Sequence, residues 1–408
     1  MHDRLSGRYV PDDVTSELAA EIDERLDRWQ SALGGGSPGV LDRRLAWDGH
    51  DRRSIRPLLG RVKLARGEPA PAWAEILRRC MNRAASFAES SREEFSFVDG
   101  NAPMPFEEVY LPFVAASQEL LETRAGASLA HFSAGARRNM QLGLLARLTS
   151  ISSAALDLEY AIFREERASL WRLEAAVLGR SPSRQIYEKF VQALLRDGLL
   201  DFYQKYPVLG RLAGTAIQLW LDALVEMIAR FNKDLPQIEG VFHGGAPAGA
   251  IEHLQLWLSD RHHGGRTVMR ATFTSGLQII YKPKCIRLER EFSNLLGWLS
   301  KEDLDLPFAP LKVLSMEGYG WVECARHRPC QNEAEARRYY LRAGMLLCLA
   351  HAMEATDCHH ENLLADGEFP QWVDLETLMQ CPTRPQDGSE KPSAPTLANA
   401  LLAKSVLK

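Results

Sequence analysis

The chain has 408 residues, of which 46% are hydrophobic and 25% charged, with a net charge of −4 and a pI near 6.3. That length supports two or three domains around a large core. The charge balance excludes the basic excess of a duplex-DNA binder, so no nucleic-acid partner is expected. Seven cysteines, an odd number with no CxxC pair, argue for a reducing cytoplasm rather than a disulfide framework. The N-terminal stretch MHDRLSGRYVPDD lacks the apolar core of a signal peptide, and no apolar run reads as a membrane span.

In chain order, Asp13 to Leu33 reads as a helix stopped by Gly34, Gly35 and Gly36. Residues 105–235 are helical in pattern. Within them Ile217, Trp220, Leu221, Leu224, Met227, Ile228 and Phe231 recur at steps of three and four, the signature of a helix packed in a core. Residues 240–249 are rich in Gly, Ala and Pro and read as a loop or domain joint. Beyond them the pattern changes. Arg266–Thr274 and Leu277–Lys282 favour strands, with Ser275-Gly276 as a two-residue hairpin turn. Ile286–Ser300 reads as a helix with Leu288, Phe292, Leu295, Leu296 and Leu299 on one face. Strands are expected at Lys312–Leu314 and Tyr319–Cys324, a helix at Glu333–Glu354, and a small hairpin from Leu363-Leu364 and Trp372-Val373. Residues 381–396, rich in Pro, Ser and charge, read as a mobile loop.

The chemistry concentrates in the last third. Asp357 and Asn362 stand five apart, the spacing of a protein-kinase catalytic loop, in which the Asp accepts the substrate hydroxyl proton and the Asn holds magnesium. Asp374, at the end of the expected hairpin, stands where a kinase places its second metal carboxylate. Lys282 ends a strand and precedes a helix, the order in which kinases place their phosphate-binding lysine. Phosphoryl transfer needs cations against the phosphates, an acceptor for the hydroxyl proton and oxygen ligands for Mg²⁺. Lys282, Asp357, Asn362 and Asp374 supply that set in kinase order. The loop Asp260–Arg266 holds two glycines, two histidines and two arginines. It reads as a polar surface turn, as a phosphate-proximal loop with an acid/base pair, or, least favoured, as part of a zinc site with His262, His263, His359 and His360.

The stretches Asp260-x-His262-x-x-Gly265-Arg266-x-Val268, Tyr281-Lys-Pro-Lys284, Tyr319-Gly-Trp-Val-Glu323, Asp357-x-His359-x-Glu361-Asn362 and Val373-Asp-Leu-Glu-Thr-Leu378 resemble, in order and spacing, the dehydratase region of class II lanthipeptide synthetases (LanM). Pro105-Phe106 and Tyr206-Pro-Val-Leu209 agree with it in the helical part. The resemblance implies an α+β fold, with a helix-rich N-terminal region followed by a lipid-kinase-like or protein-kinase-like catalytic core, incomplete at the C-terminus. It implies ATP, Mg²⁺ and a leader-bearing precursor peptide whose Ser and Thr are phosphorylated and then lose phosphate. By similarity Lys282, Asp357, His359, Asn362 and Asp374 belong to phosphorylation, with Glu376 beside the metal. Asp260 and His262 match positions that handle the phosphorylated intermediate. Val322, Glu323 and Cys324 lie on the hinge strand next to adenine. Ser259 departs from the glycine usual before that Asp.

The expected division is a helical or irregular region over 1–100, a helical bundle over 101–240 and a partial kinase-like core over 241–408. Family members continue past the position of Lys408 through more of the lobe and a zinc cyclase domain. A fragment, a truncated gene product or a split enzyme is therefore expected; in the last case a separate polypeptide supplies the remainder, and Leu346, Leu347 and Leu349 are expected to be exposed on helix 333–354. Two other readings stay open: a lipid or small-molecule kinase with the same catalytic order, and a module that only binds peptide or nucleotide.

Overall fold

The computed structural model describes residues 8–11, 16–34, 39–60, 62–89, 103–166, 183–261, 264–302, 305–355 and 358–379. The expectations placed on Asp357, on His262 and His263, on loop 381–396 and on the C-terminal end lie outside the described residues. The chain divides into two units, Met1–Glu75 and Ile76–Lys408.

In the smaller unit, β1 (Tyr9–Pro11) pairs antiparallel with β2 (Val62–Leu64). Helices α1 (Ser16–Gly34), α2 (Val40–Trp47) and α3 (Arg52–Leu59) close around Ile22, Leu26, Leu41, Leu45, Ile55 and Leu59. Helix α1 stops at the first glycine of the run that marks its end in the sequence. A capping box starts α3: Ser54 N–H donates to Asp51 at 2.7 Å, and Asp51 N–H donates to Ser54 Oγ at 3.0 Å.

The larger unit mixes helix and sheet. The unit boundary falls within α4 (Ala72–Glu89), and the larger unit goes on with α5 (Glu107–Ala125), α6 (Ala134–Glu166), α7 (Ser183–Ala193), α8 (Leu199–Lys205) and α9 (Pro207–Phe242). The apolar stripe of α9 from Ile217 to Phe231 is buried throughout. By length and composition α9 is apolar enough to cross a membrane, which corrects the expectation that no stretch approaches a span. Half of its most apolar window is buried inside the protein, so its character is that of a core helix.

A five-stranded antiparallel sheet follows, in the order β3-β4-β5-β7-β6: β3 (Ile251–Gln255), β4 (Met269–Phe273), β5 (Gln278–Lys282), β6 (Val313–Ser315) and β7 (Gly320–Glu323). Strand β3 has no counterpart in the sequence reading, because Ile251–Gln255 alternates too weakly to stand out. It is held from outside the sheet: Ser133 N–H donates to the Ile251 carbonyl at 2.9 Å, and Leu254 N–H donates to Asn139 Oδ1 at 3.0 Å. The β4–β5 turn is also longer than expected. Phe273 N–H bonds the Leu277 carbonyl and Gly276 N–H bonds the Phe273 carbonyl, both at 2.9 Å, so the loop is Thr274-Ser275-Gly276 with Gly276 at φ 84°. A left-handed third residue makes this a three-residue hairpin, not a two-residue one.

One face of the sheet, carrying Met269, Phe273, Tyr281 and Trp321, is buried against α9. The other faces α10 (Arg287–Leu299), α11 (Glu333–Ala352) and the hairpin of β8 (Leu363–Asp366) and β9 (Phe369–Trp372). A second core joins these elements through Phe292, Leu296, Phe308, Leu346, Ala350 and Trp372. Leu346 is therefore buried and Leu349 packs beside it, contrary to expectation, because that side of α11 faces Phe292 and Trp372. Leu347 is half exposed, on the opposite side.

Candidate functional site

A cavity of about 410 Å³ opens between the sheet and the β8–β9 hairpin. Its roof is the half-buried face of β4, β5 and β7. Val268, Arg270, Ile280, Lys282 and Val322 project into it because alternate residues of a strand share a face. Phe292 and Leu296 of α10, Leu346 of α11, and Leu364 and Trp372 of the hairpin supply the remaining apolar walls. The volume suits a small organic ligand.

Lys282 stands at one end of the roof. Its Nζ donates to the Val373 carbonyl at 2.6 Å and lies 3.6 Å from Glu289 Oε1 on α10. Both side chains of this ion pair are buried. Burial pushes the Lys282 pKa down, while the charges of Glu289 and Asp374 pull the other way. Asn362, Val373 and Asp374 line the same end of the cavity. Asn362 is set by the hairpin: Val373 N–H donates to its carbonyl at 3.0 Å, and its own N–H bonds the His359 carbonyl at 3.0 Å. His359 is half-buried beside it, its Nε2 3.3 Å from Asn362 Nδ2 and its Nδ1 accepting from Glu361 N–H at 3.2 Å.

Lys284 follows the turn after β5 and reaches across to the far side. Its Nζ is 3.3 Å from Asp374 Oδ1 and 2.6 Å from Glu376 Oε2. Burial lowers its pKa, but the hydrogen bond it donates to Glu376 and the charges of Asp374, Glu376 and Glu289 outweigh that and leave the ammonium raised. Glu376 is exposed and stands outside the cavity lining, whereas Asp374 belongs to it.

At the opposite end of the roof, Val322, Glu323, Cys324 and Ala325 line the cavity. Glu323 N–H bonds the Lys312 carbonyl at 2.9 Å, and Arg328 N–H bonds Ala365 at 2.9 Å, so this connecting segment ties the sheet to the hairpin. Burial raises the Cys324 thiol pKa, opposed by the neighbouring Arg270 guanidinium.

Asp260 is exposed, two residues beyond Leu258 and next to Ser259, both of which line the cavity. The residues flanking it are anchored. Val268 N–H donates to Ser259 Oγ at 3.0 Å, and Arg261 stacks 4.5 Å from the Trp257 ring centroid. Trp257 adopts φ 63°, an unusual left-handed conformation for an aromatic residue, and Gly143 on α6 leaves the space beside its indole.

Thus Lys282, Asn362, Asp374, Val322, Glu323 and Cys324, singled out from the sequence, share one cavity. His359 borders it, Asp260 flanks it through its neighbours, and Glu376 sits outside with Lys284. Glu289, Lys284 and Arg270 were not singled out. Glu289 carried a signal: it is an acidic residue on the apolar stripe of α10, three positions before Phe292 and seven before Leu296.

Residues 206–408 match the sequence model of a family described as a domain of unknown function, DUF4135. The "Lacticin 481/lactococcin biosynthesis protein LcnDR2" of Lactococcus lactis subsp. lactis is 35% identical over 128 residues, 29% of this chain and 14% of that protein. The match thus spans a small part of that curated relative's length. DUF4135 is found in LanM-type proteins, and together with the lactococcal relative it supports a likeness of this part of the chain to class II lanthipeptide synthetases.

Proposed function

We propose that this chain works in lantibiotic biosynthesis as the kinase-like dehydratase centre of a lanthipeptide synthetase. It binds ATP with Mg²⁺, phosphorylates Ser and Thr of a leader-bearing precursor peptide, and then removes the phosphate to leave dehydroamino acids. The observation that carries this reading is the buried Lys282–Glu289 pair at the end of a cavity also lined by Asn362 and Asp374. A strand lysine paired with a helix glutamate, facing an Asn and an Asp, is the arrangement phosphoryl transfer uses. The order β3-β4-β5-β7-β6, with α10 between β5 and β6, supports it.

Each residue has a chemical task. Lys282 meets the α- and β-phosphates, and Glu289 holds its ammonium charged and aimed despite burial. The Val322–Cys324 end receives the base. Asn362 and Asp374 offer hard oxygen donors, the set Mg²⁺ takes when it keeps waters and phosphate oxygens as its other ligands. When bound, the ion neutralises charge on the transferring phosphoryl group. Glu376, paired with Lys284 on the exposed side, fits a supporting position better than a ligand position. Asp357 takes the proton of the substrate hydroxyl as its oxygen bonds the γ-phosphorus and the bond to the β-phosphate oxygen breaks. In the second step a base removes the α-proton, the Cβ–O bond breaks and phosphate leaves. Asp260, next to the cavity-lining Ser259, and His262 serve that step. A cytoplasmic setting, where ATP is plentiful, fits both steps.

The test is mass spectrometry of a precursor peptide incubated with the chain, ATP and Mg²⁺. Loss of one water per modified residue is the expected product, and Asp357→Asn should leave the peptide untouched. His262→Ala should let phosphopeptide accumulate. Phosphate transfer that never proceeds to water loss would favour a different phosphotransferase, and absence of ATP binding by the wild-type chain would refute the nucleotide site itself.

A further inference from the structure

Two arginines meet outside the cavity lining, at the end of the roof where Lys282 stands. Strand register fixes the place. Leu258 N–H donates to the Val268 carbonyl at 3.1 Å, and the next residue, Met269, lies opposite Tyr281, the neighbour of Lys282. The segment from Trp257 to Arg261 therefore passes that end of the sheet. Gly143 on α6 receives the Trp257 indole, since a Cβ there would lie 2.9 Å from its Nε1. Arg147 follows Gly143 by four residues and so stands one turn on, on the same face of α6. The Arg261 guanidinium stacks on the same indole, 4.5 Å from the ring centroid. The two charges feel each other: burial first, and then the positive charge of Arg147, push the Arg261 pKa down.

Neither arginine has an ion pair or a hydrogen bond among the described residues. Neighbouring arginines differ, since Arg266 pairs with Glu226 and Arg270 with Gln255. Like charges held close repel, and an anion between them converts that repulsion into attraction. The pair is also accessible, with Arg261 exposed and Arg147 half-buried. Its geometry is fixed by the backbone: Trp257 stands at φ 63°, a conformation that persists in an aromatic residue only where its surroundings hold it, and the stack then aims Arg261. Two fixed monocations suit a dianion better than a carboxylate. A phosphate monoester carries roughly −1.5 to −2 charges at neutral pH and offers three acceptor oxygens to planar guanidinium forks. Position selects its source. The pair flanks Asp260 and stands outside the cavity lining, so it meets a phosphate that has left the nucleotide.

We propose that Arg147 and Arg261 form a clamp for the phosphate ester of the modified Ser or Thr, gripping it beside Asp260 before it is eliminated. This rests on the two-step reading of the chain and deepens it, by giving the phosphorylated peptide a binding site distinct from that of the nucleotide.

The experiment is titration of the full chain, followed by phosphorus NMR, with O-phosphoserine capped at both ends, with inorganic phosphate and with ATP in Mg²⁺. The ester should bind the wild-type chain. Arg147→Gln and Arg261→Gln should each weaken it about tenfold or more, while ATP affinity stays unchanged. Arg261→Lys keeps the charge without the planar fork and should fall between wild type and Arg261→Gln, a grading that a folding defect does not reproduce. Equal ester affinity in wild type and both Gln variants would overturn the proposal, and so would a wild-type chain that does not bind the ester. Parallel losses of ester and ATP would overturn it too, since they assign the pair to the nucleotide or to the fold. Inorganic phosphate bound as tightly as the ester would take the site away from the substrate. A chain that binds the ester through both arginines but binds no ATP would refute the nucleotide reading and support this site.

Discussion

Lys282 and Glu289 are each less than a tenth exposed at the side chain, with 3.6 Å between charged atoms. Taking either charge out of water is expensive, and the pair is tolerated only because each compensates the other. Glu289→Leu alone should therefore strand a buried ammonium and destabilise the fold by about 3–5 kcal/mol. Lys282→Met added to it should recover most of that loss, since an apolar pair of similar size fits the same walls. Urea unfolding of the two single variants and the double variant measures this. Losses that simply add would mean that the two residues are not coupled. The pair also shows how far residue types can be read without coordinates. Lys282 was legible because a lysine closing a strand before a helix is a recognisable order. Glu289 is harder to see, because the apolar face of Leu288, Phe292, Leu295, Leu296 and Leu299 already accounts for α10 as a packed helix. Arg270 was invisible, since an arginine within a strand gives no hint of which face will be enclosed. Lys284 belonged to a quoted motif, but its reach to Asp374 and Glu376 depends on a turn that only coordinates reveal.

Two elements hold the cavity's shape. Gly320 begins β7 opposite Lys282, and a Cβ there would lie 2.6 Å from the Leu314 carbonyl oxygen and inside the Ile286 side chain. Neither strand nor helix can yield without moving the end of β5. Gly320→Ala should cost about 1–3 kcal/mol by overpacking and weaken nucleotide binding with it. Thermal melting and titration should fall together; a variant with native stability and native affinity would show that Ile286 repacks freely. The β8–β9 hairpin is fastened to α11 by Glu368, which accepts from both Arg338 and Arg342. The hydrogen bonds from Arg338 and then Arg342 pull its carboxyl from 4.5 down to about 2. Because the folded pKa lies below the unfolded one, the stabilisation is complete above roughly pH 4.5 and is lost as pH falls toward 2. Glu368→Gln should flatten the pH dependence of unfolding in that window and leave its slope near neutrality unchanged. An unaltered acid limb would show that this carboxylate does not fasten the hairpin. The hairpin itself was legible from apolar pairs flanking a glycine. Its fastening was not, because Glu368 and the two arginines are 30 and 26 residues apart.

At the scale of the larger unit, α9 is the element on which sheet and helices converge. Phe231 meets Phe132 at 5.5 Å, Phe273 at 5.8 Å and Trp321 at 6.1 Å between ring centroids. One turn on, the buried Asp234 accepts a hydrogen bond from Trp321 Nε1 at 2.9 Å. Arg230 stacks on Tyr319 at 4.1 Å and donates to the Tyr281 hydroxyl at 2.6 Å, while Glu226 bridges Arg230 to Arg266 in the loop after Asp260. One face of one helix thus supports the strand that ends in Lys282 and the loop that carries Asp260. The apolar periodicity announced that α9 is a core helix, and its burial bears that out. What it packs against was not legible, since a stripe of buried residues says nothing about which partner it meets. Strand β3, unseen in the sequence, owes its place to α6 and to the chain before it, where Phe132 bridges Ile251. Phe231→Ala should remove the shared aromatic contact and cost about 3–5 kcal/mol. Because Phe132, Phe273 and Trp321 belong to three different segments, the loss should appear in the sheet as well as in the helix. Hydrogen exchange should show lowered protection in β4, β5 and β7 together with α9, in a single cooperative step. Protection that falls in α9 while the strands keep theirs would mean that the sheet is stable without the helix and that α9 does not organise the cavity.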